Sequence, residues 1–66
     1  MKINYFSDTD TLLINFNDKE VVETRDLNED ILIEVDKYGH LVSMTVEHAK
    51  QQANIKDFSF HQVATG

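Results

Sequence analysis

Cysteine and proline are both missing from this chain of 66 residues, and only two glycines are present. Without cysteine there is no disulfide, no thiol nucleophile and no thiolate metal ligand, and a cytoplasmic location is expected. Two glycines are too few for a glycine-rich phosphate-binding loop. No apolar stretch approaches the roughly 20 residues of a membrane-spanning helix, and the first residues lack the apolar stretch of a secretory signal. We therefore predict no association with a membrane.

Basic residues are also scarce. Six lysines and arginines stand against twelve aspartates and glutamates, so the net charge is −6. Because nucleic-acid binding depends on neutralising phosphates, we expect no nucleic-acid ligand. The negative charge favours a basic protein partner, or serves solubility alone. Hydrophobic residues make up 41% of the chain, which is sufficient for a single folded domain over residues 1–66.

The main pattern that is present is an alternation of polar and apolar residues with a period of two. It predicts short strands divided by short turns, and hence a mainly β, α+β fold with an antiparallel meander of about four to five strands. The predicted strands are 2–5, 11–16, 21–27, 31–36 and 41–46. Gly39 lies between the last two and suits a hairpin turn, because glycine tolerates a positive φ at little cost.

The pattern changes after Val46. Residues 47–53 are rich in helix formers and predict one short helix after the strands, with Thr45 as a candidate N-cap. Residues 50–66 form a C-terminal extension of undetermined order. Phe58 and Phe60 share one side of this extension if it is extended. We expect them to dock on the chain's own core, with exchange between two copies or addition to a partner's sheet as alternatives.

Two predicted strands are apolar on both sides. Leu13 and Leu32 each lie between two apolar neighbours within their strands. A sheet with one solvated face would alternate more strictly, so we expect a homodimer or another protein to cover part of this surface. The alternative is that Leu13 and Leu32 are single exposed leucines, which are common on protein surfaces and mark no interface. Arg25 either anchors such an interface or forms a surface pair with Glu34 or Asp36. The predicted interface residues are Leu13, Arg25, Leu32, Phe58 and Phe60.

Residues that carry chemistry are few. Asp8 and Asp10 have a spacing that suits a hard cation, but the segment lacks the glycine and distal glutamate of a calcium loop, which favours turn capping. The three histidines lack the spacing of zinc ligands, and the strand 41–46 would hold His40 about 20 Å from His48. We therefore assign no catalytic residue, no metal and no cofactor. The alternative is a small metal-dependent or hydrolytic enzyme that uses Asp8, Asp10, Asp36 and His40.

Several segments follow one another in a characteristic order: Lys2-Ile3-Asn4-Tyr5, Asp8 and Asp10, Leu12 to Phe16, Val22 to Leu27, Ile31 to Asp36, Gly39, and Leu41 to Glu47 with Ala49. This order resembles the small prokaryotic family known as domain of unknown function 2283. Phe6 departs from it, because the family often has an aspartate at that position. The resemblance implies a small β-meander followed by a helix, and no established activity, cofactor or catalytic residue.

Function follows from these features only in broad terms. By analogy, similar small proteins look like those encoded beside toxin-like partners, which suggests an antitoxin-type binder. We therefore predict a non-catalytic protein-interaction module that forms a homodimer and binds a basic protein.

Overall fold

Five strands and one short helix form the secondary structure of the computed structural model, which describes residues 1–64. The mainly β, α+β fold class is confirmed. The last two residues of the predicted domain 1–66, which also end the predicted extension 50–66, lie outside the described residues. The elements are β1 (Lys2–Phe6), β2 (Thr11–Asn15), β3 (Glu23–Asp26), β4 (Ile31–Val35), β5 (Leu41–Glu47) and α1 (Ala49–Gln52).

The strands form one antiparallel sheet in the order β1-β2-β5-β4-β3. Strands adjacent in sequence pair at every step except from β2 to β3, where the chain crosses to the far edge and β5 fills the central place. Backbone bonds fix both ends of this crossing, from Phe16 N to Val42 O at 2.8 Å and from Val22 N to Val35 O at 2.9 Å. The sheet is thus a hairpin joined to a three-stranded meander.

The turn between β4 and β5 follows the prediction. Gly39 has a φ of 80°, in the left-handed region that glycine adopts without steric cost. Its N–H donates to the Asp36 carbonyl at 3.0 Å, and the Asp36 N–H donates to the His40 carbonyl at 2.9 Å. A β-bulge between Glu34 and Val35 adjusts the pairing just before this turn.

Helix α1 is shorter than the predicted helix 47–53, because β5 continues through Glu47. Strand pairing with Thr11 extends that far, and the Glu47 N–H also donates to the Asp30 carbonyl at 2.7 Å. Thr45 therefore lies within the strand, and its prediction as the N-cap is wrong. His48 occupies the N-cap position with a φ of 53° and no side-chain cap.

The buried hydrophobic residues are few and small. Among residues 1–64 they are Val35, Val42, Val46 and Ala49, whereas the remaining apolar strand residues are half-buried or exposed. Complete burial of a valine contributes about 1.5–3 kcal/mol, so this core provides little stability by itself. Stable domains normally have two packed layers. Within residues 1–64, the C-terminal segment lies against part of one face of the sheet, and no other helix or strand forms a second layer.

Candidate functional site

One face of the sheet is almost entirely apolar. Residues that are directly paired in antiparallel strands point to the same side, so the register defines the face. One row runs Ile3, Ile14, Met44 and Ile33, and the next runs Tyr5, Leu12, Val46 and Ile31. We call this side, together with Glu23, Arg25, Val35 and its register partner Leu41, the apolar face.

Charge on the apolar face is confined to one pair on the edge strand β3. Glu23 and Arg25 are opposite Val35 and Ile33 in the register, and the Arg25 Nε bonds to a Glu23 carboxylate oxygen. Arg25 was predicted either to anchor an interface or to pair with Glu34 or Asp36, and its bond is to Glu23 on its own strand. The two charges cancel, so the strand residues of this face carry no net charge.

The C-terminal segment covers part of the apolar face. A cavity of about 190 Å³ lies between Ile3, Tyr5, Leu12 and Ile14 of the first two strands and Ala53, Asn54, Ile55 and Phe58 of the segment. Phe58 therefore contacts the sheet with only part of its side chain, which remains 67% exposed. Phe60 does not line this cavity and is 68% exposed. The part of the face on β4 and β5 does not line this cavity.

The opposite side, the polar face, contains the two leucines that interrupted the alternation. Leu13 and Leu32 are both register partners of Thr45, so the sheet brings them to either side of one central residue. Acidic residues surround this short apolar row. The polar face comprises Lys2, Asn4, Phe6, Thr11, Leu13, Asn15, Thr24, Asp26, Leu32, Glu34, Ser43, Thr45 and Glu47.

The predicted interface residues therefore do not form one patch. Leu13 and Leu32 lie on the polar face, Arg25 lies on the apolar face, and Phe58 and Phe60 lie on the C-terminal segment. The sequence pattern did not reveal that these residues lie on different faces. In a run of consecutive apolar residues, the pattern alone does not show that Leu13 and Leu32 point away from their apolar neighbours.

Asp10 joins the first turn to helix α1. Its carbonyl accepts the Ala49 N–H at 3.0 Å, and its carboxylate accepts the Lys50 N–H at 3.2 Å and the Tyr5 hydroxyl at 2.6 Å. The hydrogen bond to Asp10, with burial and the carboxylate charge, raises the pKa of Tyr5 to about 12. Asp10 thus caps the backbone of a helix 40 residues away, whereas the prediction was that it caps its own turn.

Asp30 forms a second connection to the same helix, which sequence reasoning missed. Its carboxylate lies 2.8 Å from Nδ1 of His48 and accepts the Gln52 side-chain amide at 3.2 Å. The hydrogen bond to Asp30 and its negative charge raise the pKa of His48, while partial burial opposes the shift. Asp30 appears in the sequence as an ordinary turn residue, and nothing near it in the chain indicates that its partner is His48, 18 positions away.

Asp36 and His40 meet in the turn after β4. Asp36 is 6% exposed, and one of its carboxylate oxygens accepts the Tyr38 and His40 N–H groups at 2.9 and 2.8 Å. Burial opposes ionisation, but these two bonds, with the charges of His40 and Lys19, lower the pKa of Asp36 below its usual value. Its ionised state therefore stabilises the turn.

These acidic and histidine groups do not assemble into one site. The Asp36–His40 pair lies at the turn where β5 begins, and the Asp30–His48 pair lies at the end of β5. The length of that strand separates the two pairs. Within residues 1–64, no three histidine, aspartate or glutamate side chains are placed to hold a metal ion. An open hollow of about 810 Å³ beside α1 is lined by Tyr5, Ser7 and residues 50–56, with no carboxylate or imidazole among them.

Comparison with known proteins gives a match to a family model. A family model described as "Protein of unknown function (DUF2283)" matches residues 2–50. No curated protein and no solved structure shows significant similarity to the chain. In the part of the chain that the structure describes, no helix has the length and apolar character needed to cross a membrane.

Proposed function

This chain belongs to the DUF2283 family, and we propose that it is a non-catalytic protein-interaction module with two chemically different sheet faces. The observation that carries the proposal is the single-layered sheet, in which Ile31, Ile33 and Met44 of the apolar face are half-buried and do not line the cavity under the C-terminal segment. A surface of this kind is typical of a protein that is completed by a partner.

The proposal includes the finer predictions made from the sequence. The module is a homodimer and binds a basic protein in the manner of an antitoxin, in the cytoplasm of a prokaryotic cell. The acidic composition supports the basic partner, since complementary charge accelerates and orients association. The polar face suits that role because Asp26 and Glu47 are exposed beside the Leu13–Thr45–Leu32 row.

Affinity capture tests the basic partner. The full chain serves as bait in an extract of the cells that encode it, beside the double variant Asp26→Lys, Glu47→Lys. A matched control, Asp18→Lys with Glu20→Lys, changes the net charge equally but lies in the β2–β3 connection. We expect the wild type and the control to retain a basic protein that the polar-face variant loses. Failure of the wild type to retain any protein, or equal retention by all three baits, would contradict the proposal.

The rival enzymatic hypothesis makes a different prediction. An enzyme that used Asp8, Asp10, Asp36 and His40 with a divalent metal would melt at a higher temperature when the metal is added, because ligand binding stabilises the native state. We expect no change in melting temperature with magnesium, calcium, manganese or zinc. A saturable increase with one of these ions, lost in Asp36→Asn, would favour the enzyme.

A further inference from the structure

We propose that the apolar face is the contact surface of the homodimer, and that a second copy of this chain supplies the missing layer by packing its own apolar face against it. This inference rests on the proposed function and specifies which face the second copy occupies. Two twisted sheets stacked in this way form a sandwich about 10 Å between layers, which is a common arrangement of β domains.

The exposed surface is the first argument for an occupant of this size. The chain exposes 5370 Å². A compact monomer of 7.6 kDa exposes about 4,300 Å², so roughly 1,100 Å² is in excess. A stable interface removes about 800 Å² from each partner. This excess includes the surface of the extended C-terminal segment, and its size is comparable with the area that one such interface removes from each partner.

Charge is the argument for a second copy rather than a different partner. The chain has a net charge of −6, so two copies repel each other through most of their surfaces. The strand residues of the apolar face are neutral overall, because Glu23 and Arg25 pair with each other. That face is therefore the one on which like molecules meet without repulsion, whereas a basic partner gains more from the carboxylates of the polar face.

The position of the C-terminal segment determines which part of the apolar face forms the centre of the proposed contact. The segment lies over β1 and β2, which leaves the half-buried Ile31, Ile33 and Met44 as the open region. The Glu23–Arg25 pair then lies at the edge of the contact on β3, where polar groups normally surround an apolar centre. In a contact related by a two-fold axis, each copy contributes this same region.

Sedimentation equilibrium of the full chain over a range of micromolar concentrations tests the inference. Met44→Glu places a carboxylate in the centre of the contact, and Thr45→Glu adds the same charge one residue later on the polar face. We expect a dimer for the wild type and for Thr45→Glu, and a dissociation constant raised by about 100-fold or more for Met44→Glu. Met44→Gln, which adds no charge, should weaken the dimer less, and circular dichroism reports whether each variant is folded.

Other outcomes overturn the inference. A monomeric wild type does so, as does dissociation by Thr45→Glu in place of Met44→Glu, which would assign the dimer to the polar face. If Met44→Glu is unfolded, an unchanged dimer in folded Met44→Gln also counts against it. A monomer that still retains a basic protein in the capture experiment would overturn this inference alone and leave the interaction module standing.

Discussion

At the scale of single residues, two aspartates connect the sheet to the C-terminal part of the chain. Asp10 accepts hydrogen bonds from Tyr5 and from the first turn of α1, and Asp30 accepts them from His48 and Gln52. Helix α1 has only four residues, and helices this short need such contacts to form. Polar contacts therefore position the segment that covers part of the apolar face.

Ionisation of Tyr5 tests the Asp10 contact. Asp10→Asn removes the negative charge that opposes the phenolate, so the pKa of Tyr5 should fall from about 12 toward its ordinary value of 10.0. Ultraviolet absorbance during alkaline titration measures the change, and Tyr5→Phe identifies which of the two tyrosines titrates. An identical titration curve in Asp10→Asn would show that the hydrogen bond is not made.

The pH dependence of stability tests the Asp30 contact. A raised pKa means that the protonated His48 stabilises the fold below the unfolded value of 6.5 and that this contribution is lost as pH rises through the folded pKa. His48→Asn retains a residue that tolerates the left-handed backbone at this position. It should therefore lower the melting temperature more at about pH 6 than at about pH 9. The exposed His61, replaced by Asn, provides the control, and equal losses at both pH values would contradict the assignment.

At the scale of elements, the sequence predicts the strands but not their complete order. Alternation identifies β1, β2, β4 and β5, because one side of each is apolar, and Gly39 marks the hairpin. The observed β3 is shorter than the predicted strand 21–27 and has no apolar side. The β2–β3 crossing has no such signal, since the pairing of β2 with β5 depends on residues 28 or more positions apart in the chain. The boundary between β5 and α1 was misplaced for the same reason, because Thr11 and Asp30 hold Glu47 in the strand.

The β4–β5 turn supplies an element-scale prediction. A Cβ at Gly39 would meet no atom within 4 Å, so the cost of Gly39→Ala is conformational and not steric crowding. Left-handed backbone at a residue with a Cβ costs about 1–2 kcal/mol, and Gly39→Asn should cost less because asparagine tolerates this region. Urea unfolding of the two variants gives the difference. A loss for Asn equal to that for Ala would show that the turn rearranges.

At the scale of the whole molecule, the sheet resembles one half of a sandwich. The two-sided strands favoured a covering partner, but the leucines that make them two-sided, Leu13 and Leu32, lie on the polar face, opposite the proposed apolar contact. The face itself follows from the register, which brings Ile33, Met44 and Ile14 into one row across three strands. Such a row is invisible in sequence because its members come from distant segments.

The two faces divide the proposed roles between them. The neutral apolar face contacts a second copy, and the acidic polar face remains accessible in that dimer for a basic protein. This arrangement requires no reaction site, and Asp10, Asp30 and Asp36 act in turns and at the start of α1. The account therefore depends on which face of the sheet is covered.

Nuclear magnetic resonance on mixed samples of isotope-labelled and unlabelled chains measures that face directly, because filtered experiments detect contacts between copies alone. We predict contacts between copies from the methyl groups of Ile31, Ile33 and Met44. Contacts between copies from Leu13 and Leu32, or none at all at micromolar to millimolar concentration, would contradict the account.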